Sequence, residues 1–416
     1  MKNFKVLTIL IIVCNVGIAQ QKKVLFLGNS YTEYFNLPQL IVNMGQSTND
    51  IIVVDSHTPG GYTLQSHNSN PTSLAKIAQG NWDFVVLQEQ SQLPSSPINQ
   101  VQTQVFPSAE SLNTKIIASN PCAETVFYMT WGRQNGDGEN CGSNPPVCTY
   151  VGMDNLLKER YLTMTNTNNA IVAPVSVVWR YLRDNHQALN LYDPDGSHPS
   201  FIGSYVAACA FYTIILRKDP TLIAFNSSLS VADANIIKTV TKNLIFDYLQ
   251  EWKVGIYDPN SNFSFTNSST TALNFINKST NSSQYVWDFG DNTTSTEINP
   301  AHVYASAGQY VVKLSATKCG LMSQSQQTIN TSILSNNSVQ TTINTINIYP
   351  NPITDVLFID SVENINKIEI FDIFGRQIQN YKVVNSSINF NDKNAGLYFL
   401  KIYTDSGLII KKVIKK

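Results

Sequence analysis

The chain is poor in charged residues, which make up only 14% of its 416 positions, and its formal net charge is -1. Proteins that bind nucleic acid or anionic membrane surfaces carry an excess of basic side chains. This balance therefore gives no support to nucleic acid or to an anionic membrane as a partner. The length is too great for one ordinary core, which predicts two or three domains.

No apolar run here predicts a membrane span. The N-terminal stretch Val6–Val13 is apolar but too short to cross a bilayer. Two lysines precede it and the small residue Ala19 follows it, which is the layout of a signal peptide. We expect cleavage after Ala19, so that residues 1–19 are a signal peptide and the protein is exported.

Cysteine and histidine are scarce, with six and five copies. No Cys/His spacing resembles a zinc site, and we expect neither a metal nor another cofactor. After cleavage five cysteines remain, an odd number that leaves at least one unpaired. Cys141 and Cys148 flank a short loop that a disulfide could close in an oxidising compartment, although two unrelated thiols are the alternative.

From about residue 22 to 255, short β-rich apolar runs alternate with longer helical patterns, which predicts an α/β domain with a parallel sheet. The predicted strands are Val24–Leu27, Ile51–Asp55, Phe84–Gln88, Val126–Thr130 and Ile171–Pro174. The predicted helices are Leu37–Met44, Met153–Thr165, Ile202–Leu216 and Val231–Tyr248. We place the bounds of this domain at 20–257.

After Tyr257 the helical periodicity disappears, and Ser/Thr/Asn-rich alternating segments replace it. Turn signals such as Asn351-Pro352 separate these segments. The pattern predicts two small all-β sandwich domains, at 258–333 and 343–416. The polar stretch 334–342 between them has the composition of a linker.

Ser30 follows the first predicted strand, at the kind of position where catalytic groups gather in open α/β sheets. A serine hydroxyl needs a neighbouring base to act as a nucleophile, and His198 is the candidate. Asp195 lies three residues before His198 and could bond the imidazole Nδ1. Asp193 is the second choice, because the route from it is longer and passes through a proline.

Each of these segments has a plainer interpretation. A serine after a strand is usually a helix N-cap. The Asp195–His198 turn could be a solvated loop or half of a calcium loop, although the oxygen ligands of an EF-hand are missing. Their occurrence at opposite ends of one α/β domain favours a hydrolase.

The two segments Gly28-Asn29-Ser30-Tyr31-Thr32 and Asp195-Gly196-Ser197-His198 resemble those of the SGNH/GDSL hydrolase superfamily. The resemblance covers the α/β domain and implies a flavodoxin-like three-layer α/β/α sandwich. It implies that Ser30 is the nucleophile, His198 the base and Asp195 the group that orients it.

The resemblance also implies an oxyanion hole made by the Ser30 N–H, a glycine N–H from Gly60 or Gly61, and an asparagine after the third strand. Here Leu87-Gln88-Glu89 stands where the family has Gly-x-Asn-Asp, which indicates a divergent branch. The Gln88 amide can donate a hydrogen bond as asparagine does, so we expect it in the oxyanion hole. The alternative is a structural amide that ties the loop together.

Other candidates are weaker. Trp131 could stack on a sugar ring and Arg133 could hold an anionic group, although a packed aromatic beside a surface arginine is the more common arrangement. His57 and His67 could line a pocket, but we expect them to be structural histidines.

Both C-terminal segments resemble known domains. Tyr285-Val286-Trp287-Asp288-Phe289-Gly290-Asp291 resembles a PKD domain, an Ig-like β-sandwich found on extracellular enzymes and adhesins. Ile348-Tyr349-Pro350-Asn351-Pro352 and Gly396-Leu397-Tyr398-Phe399-Leu400 resemble a type IX secretion sorting domain of Bacteroidetes-type bacteria. This implies a partner in the type IX machinery and a secreted or surface-attached protein.

The expected function is a secreted serine esterase that cleaves carboxylic esters, preferably O-acetyl groups of polysaccharides. A lipid or simple carboxylester substrate is the enzymatic alternative. A non-catalytic adhesin or glycan-binding protein is the alternative from another class, and Gln88 in place of asparagine is its best support. The choice of polysaccharide rests on analogy with other modular exported enzymes.

Overall fold

The computed structural model describes residues 21–267, 271–331, 346–361, 364–373, 376–381, 387–405 and 407–416. The predicted signal peptide and the predicted linker lie outside these residues. The chain divides into two compact units. The first comprises the region before residue 330 without the short segments 269–271 and 306–308, and the second comprises the remainder.

A five-stranded parallel sheet forms the centre of the N-terminal domain, in the order β2-β1-β3-β4-β5. This order is flavodoxin-like, and it confirms the predicted fold class. All five predicted strands are present, with ends shifted by up to two residues. They are β1 Lys22–Leu27, β2 Ile52–His57, β3 Phe84–Leu87, β4 Glu124–Tyr128 and β5 Ile171–Ala173.

Helices cover both faces of the sheet in two groups. One group packs together as α2, α8, α9 and α10, and the other as α3, α4, α6 and α7. The helices are α1 Ser30–Glu33, α2 Leu37–Gln46, α3 Leu64–Ser69, α4 Pro71–Ile77, α5 Ile98–Gln100, α6 Phe106–Ser119, α7 Tyr150–Thr167, α8 Val175–Asn185, α9 Phe201–Leu216 and α10 Val231–Leu244.

Helix α9 is buried because its sequence is apolar on almost every face. It begins where the Ser200 side chain accepts a hydrogen bond from the Gly203 N–H at 3.1 Å. Helix α10 begins in the same way at Ser230, which accepts from the Asp233 N–H at 3.0 Å. It is shorter than predicted, because a 3₁₀ turn replaces its last part.

The edge of the sheet that matters for function is the carboxyl edge between β1 and β3. The chain leaves β1 to form β2 on one side and later returns to form β3 on the other. Helices on opposite faces therefore separate at this point and leave a crevice where ligands bind in open α/β sheets. Ser30 begins α1 directly above it.

The second domain consists of two antiparallel sheets, β10-β7-β6 and β12-β11-β8-β9. Phe275, Trp287 and Leu314 are buried in the core of this domain. The strands are β6 Phe263–Asn267, β7 Ala272–Asn277, β8 Gln284–Asp288, β9 Thr294–Ser295, β10 Ala301–Val303, β11 Gln309–Lys318 and β12 Leu321–Asn330.

A disulfide between Cys122 and Cys319 joins the α/β domain to this sandwich across 197 positions of sequence. Cys122 lies just before β4, at the amino edge of the sheet, opposite to the edge that carries Ser30. The sequence analysis did not anticipate this bond. Of the two alternatives that the sequence left open for Cys141 and Cys148, the structure shows the disulfide, and Cys209 is a free, buried thiol.

The C-terminal unit is also all-β, with antiparallel sheets β13-β14-β17 and β16-β15-β18-β19. Its strands are β13 Asn347–Tyr349, β14 Val356–Asp360, β15 Ile365–Asp372, β16 Gln377–Tyr381, β17 Ser387–Asn389, β18 Gly396–Thr404 and β19 Gly407–Lys415. The closing lysines lie on or next to β19. Within the described part of the chain, no helix has the length and apolar character needed to cross a membrane.

Candidate active site

Ser30 is the first helical residue after β1, and its neighbour Asn29 is the N-cap. The Asn29 Oδ1 accepts a hydrogen bond from the Tyr31 N–H at 3.2 Å. The plainer interpretation of Ser30 as a cap therefore does not describe this turn. Because Asn29 performs the capping, the Ser30 hydroxyl is left for another partner.

That partner is His198, which lies 168 residues further along the chain. The Ser30 Oγ and the His198 Nε2 are 2.8 Å apart, and the His198 Nδ1 lies 2.5 Å from the Asp195 Oδ2. Because a carboxylate only accepts, Nδ1 carries the proton and the Nε2 lone pair faces the hydroxyl. The structure thus brings together the three residues in the order that nucleophilic catalysis needs.

Asp195 is held as a carboxylate. Burial by itself would raise the pKa of Asp195, but hydrogen bonds from the His198 side chain and from the Ser197 and His198 N–H groups outweigh it. The pKa of Asp195 consequently lies below its ordinary value. The side chain of Asp193, the second choice, takes no part in this chain of hydrogen bonds.

The loop that carries His198 is a tight turn, closed by a hydrogen bond from the Gly196 N–H to the Asp193 carbonyl at 2.9 Å. Gly196 has φ +68°, a conformation that glycine adopts without steric cost. The Gln134 N–H donates to the Gly196 carbonyl at 2.8 Å. The segment after β4 therefore fixes the loop from outside.

Ser197 fixes the same loop from inside. Its hydroxyl shares a hydrogen bond with the Tyr31 hydroxyl at 2.7 Å, and its carbonyl accepts from the Trp131 Nε1 at 3.1 Å. Both partners are almost fully buried. These contacts restrict the position of the neighbouring His198 relative to Ser30.

Trp131 is a packed aromatic, which is the more common of the two arrangements that the sequence left open. It is fully buried, with Tyr31 stacked on its ring at 4.9 Å and Trp179 stacked at 3.6 Å. No face of the indole is open to a sugar, so the structure corrects the weaker candidate role of stacking on a substrate. Arg133 lies 3.4 Å from Asp137 and 3.6 Å from Glu139, so protein carboxylates already partner its charge.

Gln88 is the second correction. It is fully buried, and its Nε2 donates to the Asn29 Oδ1 at 2.7 Å and to the Glu89 carbonyl at 2.8 Å. Its Oε1 accepts from the Asn29 N–H at 3.0 Å and the Thr32 hydroxyl at 2.8 Å. Both amide hydrogens are used, so Gln88 has no donor left for an oxyanion, and the structural alternative is the one that the structure supports.

Gly28 is required by this arrangement, because a Cβ at that position would lie 2.7 Å from the Gln88 Oε1 and 2.5 Å from the Thr32 Oγ1. Either distance is shorter than van der Waals contact allows. The glycine of the Gly28-Asn29-Ser30 motif therefore lets the end of β1 approach Gln88. Sequence reasoning noted this glycine but not its reason.

His67 and His57 are structural, as the sequence analysis expected. The buried His67 donates through Nε2 to the Gly28 carbonyl at 2.8 Å, and its Nδ1 accepts from Ser73 at 2.8 Å. The His57 Nδ1 contacts the same Ser73 hydroxyl at 2.8 Å. Burial lowers the pKa of His67 to about 4, so the ring is neutral and matches this set of donors and acceptors.

Two of the expected oxyanion donors remain as candidates, and both are backbone N–H groups. The Ser30 N–H makes no hydrogen bond to any described residue, since Asn29 and Tyr31 supply the bonds of this first turn. Gly60 and Gly61 lie in the turn that the Tyr62 N–H closes on the Pro59 carbonyl at 3.2 Å. The Asn29 Nδ2 donates to the Tyr62 carbonyl at 2.8 Å and so ties this turn to the residue before Ser30.

Sequence reasoning missed Glu89. It is buried, its Oε1 accepts from the Leu64 N–H at 3.1 Å and the Gln90 N–H at 2.7 Å, and its Oε2 makes no hydrogen bond to any residue that the structure describes. Burial raises the pKa of Glu89 to about 8, so the carboxyl is neutral near pH 7. The contact with Leu64 fixes the start of α3, just after the glycine turn.

Tyr34 was also missed. Its ring is nearly parallel to the His198 imidazole, with the centroids 4.4 Å apart and an angle of 14° between the planes. The Tyr34 N–H bonds the Ser30 carbonyl, which attaches the ring to the turn of the candidate nucleophile. One face of the imidazole is thereby covered by an aromatic ring.

Within the described residues, no group of three or more His, Cys, Asp or Glu side chains could hold a metal ion. The chemistry that the arrangement can perform with its own residues is acyl transfer through a serine hydroxyl.

Comparison with known families identifies the two C-terminal domains. Residues 258–333 match the family model described as PKD domain, and residues 347–416 match the one described as Secretion system C-terminal sorting domain. These matches confirm both C-terminal resemblances. The protein is thus secreted or attached to the cell surface.

Two solved structures are similar to the N-terminal region of the chain. A DUF4886 family protein from Bacteroides uniformis is 16% identical, with a TM-score of 0.47, over 54% of this chain and 94% of that one. A proposed SGNH hydrolase from Slackia heliotrinireducens is 26% identical, with a TM-score of 0.38, over 46% of this chain and 98% of that one.

Among curated proteins, collagenase ColA from Bacillus cereus is 63% identical over 30 residues, which is 7% of this chain. The chain spans only 3% of the length of that collagenase. The likeness is therefore to a short segment.

Proposed function

We propose that the protein is an exported serine esterase that hydrolyses carboxylic esters through an acyl-enzyme on Ser30. The observation that carries the proposal is the continuous chain of hydrogen bonds from Ser30 through His198 to Asp195. An arrangement of this kind activates a hydroxyl that is otherwise a weak nucleophile near neutral pH. It also argues against a purely adhesive role for the domain.

In the acylation step, the Ser30 Oγ attacks the ester carbonyl carbon while His198 Nε2 takes the hydroxyl proton. The tetrahedral intermediate then expels the alcohol, whose oxygen receives that proton from His198. A water molecule then attacks the acyl-enzyme while His198 takes its proton. The acid is released as that proton returns to the Ser30 Oγ. General-base assistance of this type contributes on the order of 10²–10⁴-fold to the rate, and Asp195 stabilises the imidazolium that forms transiently.

We assign the oxyanion hole to the Ser30 N–H and an N–H of the Gly60–Gly61 turn. Backbone donors at a fixed turn stabilise the negative charge that develops on the carbonyl oxygen. The Asn29 side chain, itself held by Gln88, keeps the turn beside Ser30. Gln88 thus acts through Asn29 and is a positioning residue.

The preferred substrates are O-acetyl esters on polysaccharides. The support is the export of the protein and the PKD domain behind the catalytic domain, both of which suit an enzyme that works on extracellular polymers. Lipid and simple carboxylic esters remain the alternative for the same chemistry.

The test is acetate release by the purified protein from p-nitrophenyl acetate and from acetylated polysaccharide, compared with Ser30→Ala and His198→Ala. We expect each variant to lose on the order of 10³-fold or more in kcat/KM. Asp195→Asn should lose far more than Asp193→Asn, because only Asp195 contacts Nδ1.

Ser119→Ala, on the exposed surface of α6, is the matched control for loss of a serine hydroxyl. If Ser30→Ala releases acetate as fast as the wild type and the Ser119 control, the esterase function is wrong.

A further inference from the structure

Three aromatic side chains form a continuous row that starts at the imidazole of His198. Tyr34 lies against the imidazole at 4.4 Å. Phe35 meets Tyr34 edge-on at 6.1 Å, and Phe201 meets Phe35 edge-on at 5.6 Å. We refer to Tyr34, Phe35 and Phe201 as the aromatic platform.

Phe35 is the solvent-facing member of the platform, with 46% of its surface exposed. Its backbone has φ +52°, and the next residue, Asn36, has φ +51°. Asparagine tolerates this left-handed region, but phenylalanine adopts it rarely and at a cost in free energy. An exposed aromatic ring on a strained backbone, one ring away from the imidazole of His198, indicates a role outside the core.

The position of the platform indicates which part of an ester it would meet. The alcohol oxygen must lie against His198 Nε2, because it takes its proton from there as it leaves Ser30. The carbonyl oxygen must instead point to the Ser30 N–H and the Gly60–Gly61 turn. Tyr34 packs on this imidazole, so the platform begins at the histidine that serves the alcohol and not at the donors that serve the carbonyl oxygen.

The shape of the platform narrows the chemistry of that alcohol. A long acyl or alkyl chain is bound best where an apolar groove encloses it. Phe35 instead offers one flat, half-exposed ring, and the platform carries no charged side chain. A flat apolar surface that is open to water suits one face of a sugar ring, whose hydroxyl groups stay hydrated at the edges.

We propose that Phe35 is a substrate-binding residue for the alcohol portion of the ester, and that this alcohol is the ring of a neutral O-acetylated saccharide. The inference rests on the proposed esterase function and names its substrate class. It assigns to Phe35 the sugar-stacking role that the buried Trp131 cannot perform.

The test compares two esters, acetylated xylo-oligosaccharides and ethyl acetate, with wild-type protein and Phe35→Asn. Asparagine keeps the left-handed backbone and removes the ring. We expect the ratio of kcat/KM for the saccharide to that for ethyl acetate to fall by about three-fold or more in Phe35→Asn, mainly through KM. Phe35→Trp should keep or increase this ratio.

Tyr181→Asn is the matched control, because Tyr181 is a 43% exposed aromatic on α8 whose ring contacts His186 and not His198. It should leave the ratio unchanged. An unchanged ratio in Phe35→Asn overturns the inference. An altered preference of Phe35→Asn between p-nitrophenyl acetate and p-nitrophenyl butyrate also overturns it, because the ring would then bind the acyl group.

Binding separates failure of this inference from failure of the proposed function. Ser30→Ala is titrated with acetylated xylo-oligosaccharides by calorimetry, with and without Phe35→Asn in the same chain. Weaker binding in the double variant supports the platform even if the wild type shows no turnover. Equal binding in both proteins contradicts the platform whatever the wild type hydrolyses.

Discussion

Gln88 and Asn29 hold each other through two hydrogen bonds. The Gln88 Nε2 donates to the Asn29 Oδ1 at 2.7 Å, and the Gln88 Oε1 accepts from the Asn29 N–H at 3.0 Å. The pair connects the end of β3 to the residue before Ser30. Gln88 thus holds in place the turn that carries Ser30, the candidate nucleophile.

Gln88→Ala should both destabilise the protein and lower its kcat. The change leaves the Asn29 N–H and the Thr32 hydroxyl without partners in a buried site, while the Asn29 Oδ1 keeps only its bond from the Tyr31 N–H. Unsatisfied buried groups of this kind cost about 1–3 kcal/mol each before the site relaxes. Urea unfolding should therefore show a loss of at least about 2 kcal/mol, together with a lower kcat.

Thr32→Val is the matched control for Gln88→Ala, because it removes one of these hydrogen bonds at nearly constant volume. We expect a loss of about 1 kcal/mol. If Gln88→Ala kept its full stability and lost only kcat, the result would support a direct role of the Gln88 amide in the oxyanion hole.

Tyr34→Leu should lower kcat with little change in KM. The ring lies flat on the imidazole, which becomes a cation in each transition state, and the π-face attracts such a charge. Exposed contacts of this kind contribute about 0.5–1 kcal/mol, or roughly two- to five-fold in rate. Tyr34→Phe keeps the ring and should restore most of the rate. Equal losses in both variants would show that the hydroxyl, not the ring, matters.

Glu89→Gln should change how stability depends on pH. The pKa of Glu89 is raised to about 8 by burial, against an ordinary value of 4.5. The neutral carboxyl therefore makes its full contribution to the free energy of unfolding below about pH 4.5. This contribution is lost as the pH rises through about 8. At pH 9 the loss is on the order of several kcal/mol.

Glutamine cannot ionise, and it retains an oxygen for the Leu64 and Gln90 N–H groups. Thermal unfolding of both proteins from pH 5 to pH 9 should show that the wild type loses more stability than Glu89→Gln as the pH rises from 5 to about 8. His67 is common to both proteins and, with its lowered pKa, titrates on the acid side. Parallel curves would contradict a buried, protonated Glu89.

Removing the bond between Cys122 and Cys319 should lower stability and spare activity. The bond lies at the amino edge of the sheet, whereas Ser30 lies at the carboxyl edge. A link across 197 positions restricts the unfolded chain more than the link across seven positions between Cys141 and Cys148.

The Cys122→Ser/Cys319→Ser protein should therefore melt below the Cys141→Ser/Cys148→Ser protein while it keeps the wild-type kcat. Differential scanning calorimetry and the acetate assay measure the two properties. A lost kcat in the first protein would show that the amino edge influences the site.

Much of the fold could be predicted because its signals are local. Each strand of the parallel sheet is a short β-branched apolar run, and the helix starts carry capping serines such as Ser200 and Ser230. The motifs around Ser30 and His198 could be joined because parallel strands place their carboxyl ends along one edge. Their chemistry depends on residue type and chain position, which the sequence shows directly.

The other features of the fold and the candidate site depend on contacts that a linear sequence does not display. Both amide hydrogens of Gln88 are used because the end of β3 lies close to Asn29. Trp131 is buried because Tyr31 and Trp179 stack on it. The partner of Cys122 lies in another domain. In each case the residue type was noticed, and its partner across the fold decided its role.

Activation of Ser30 by His198 can be measured by locating the adduct of a fluorophosphonate probe by peptide mass spectrometry. We expect one phosphonyl adduct, on the peptide that contains Ser30, formed quickly in the wild type and lost in His198→Ala. Absence of an adduct on folded wild-type protein, or labelling of Ser30 at the same rate in His198→Ala, would contradict the account.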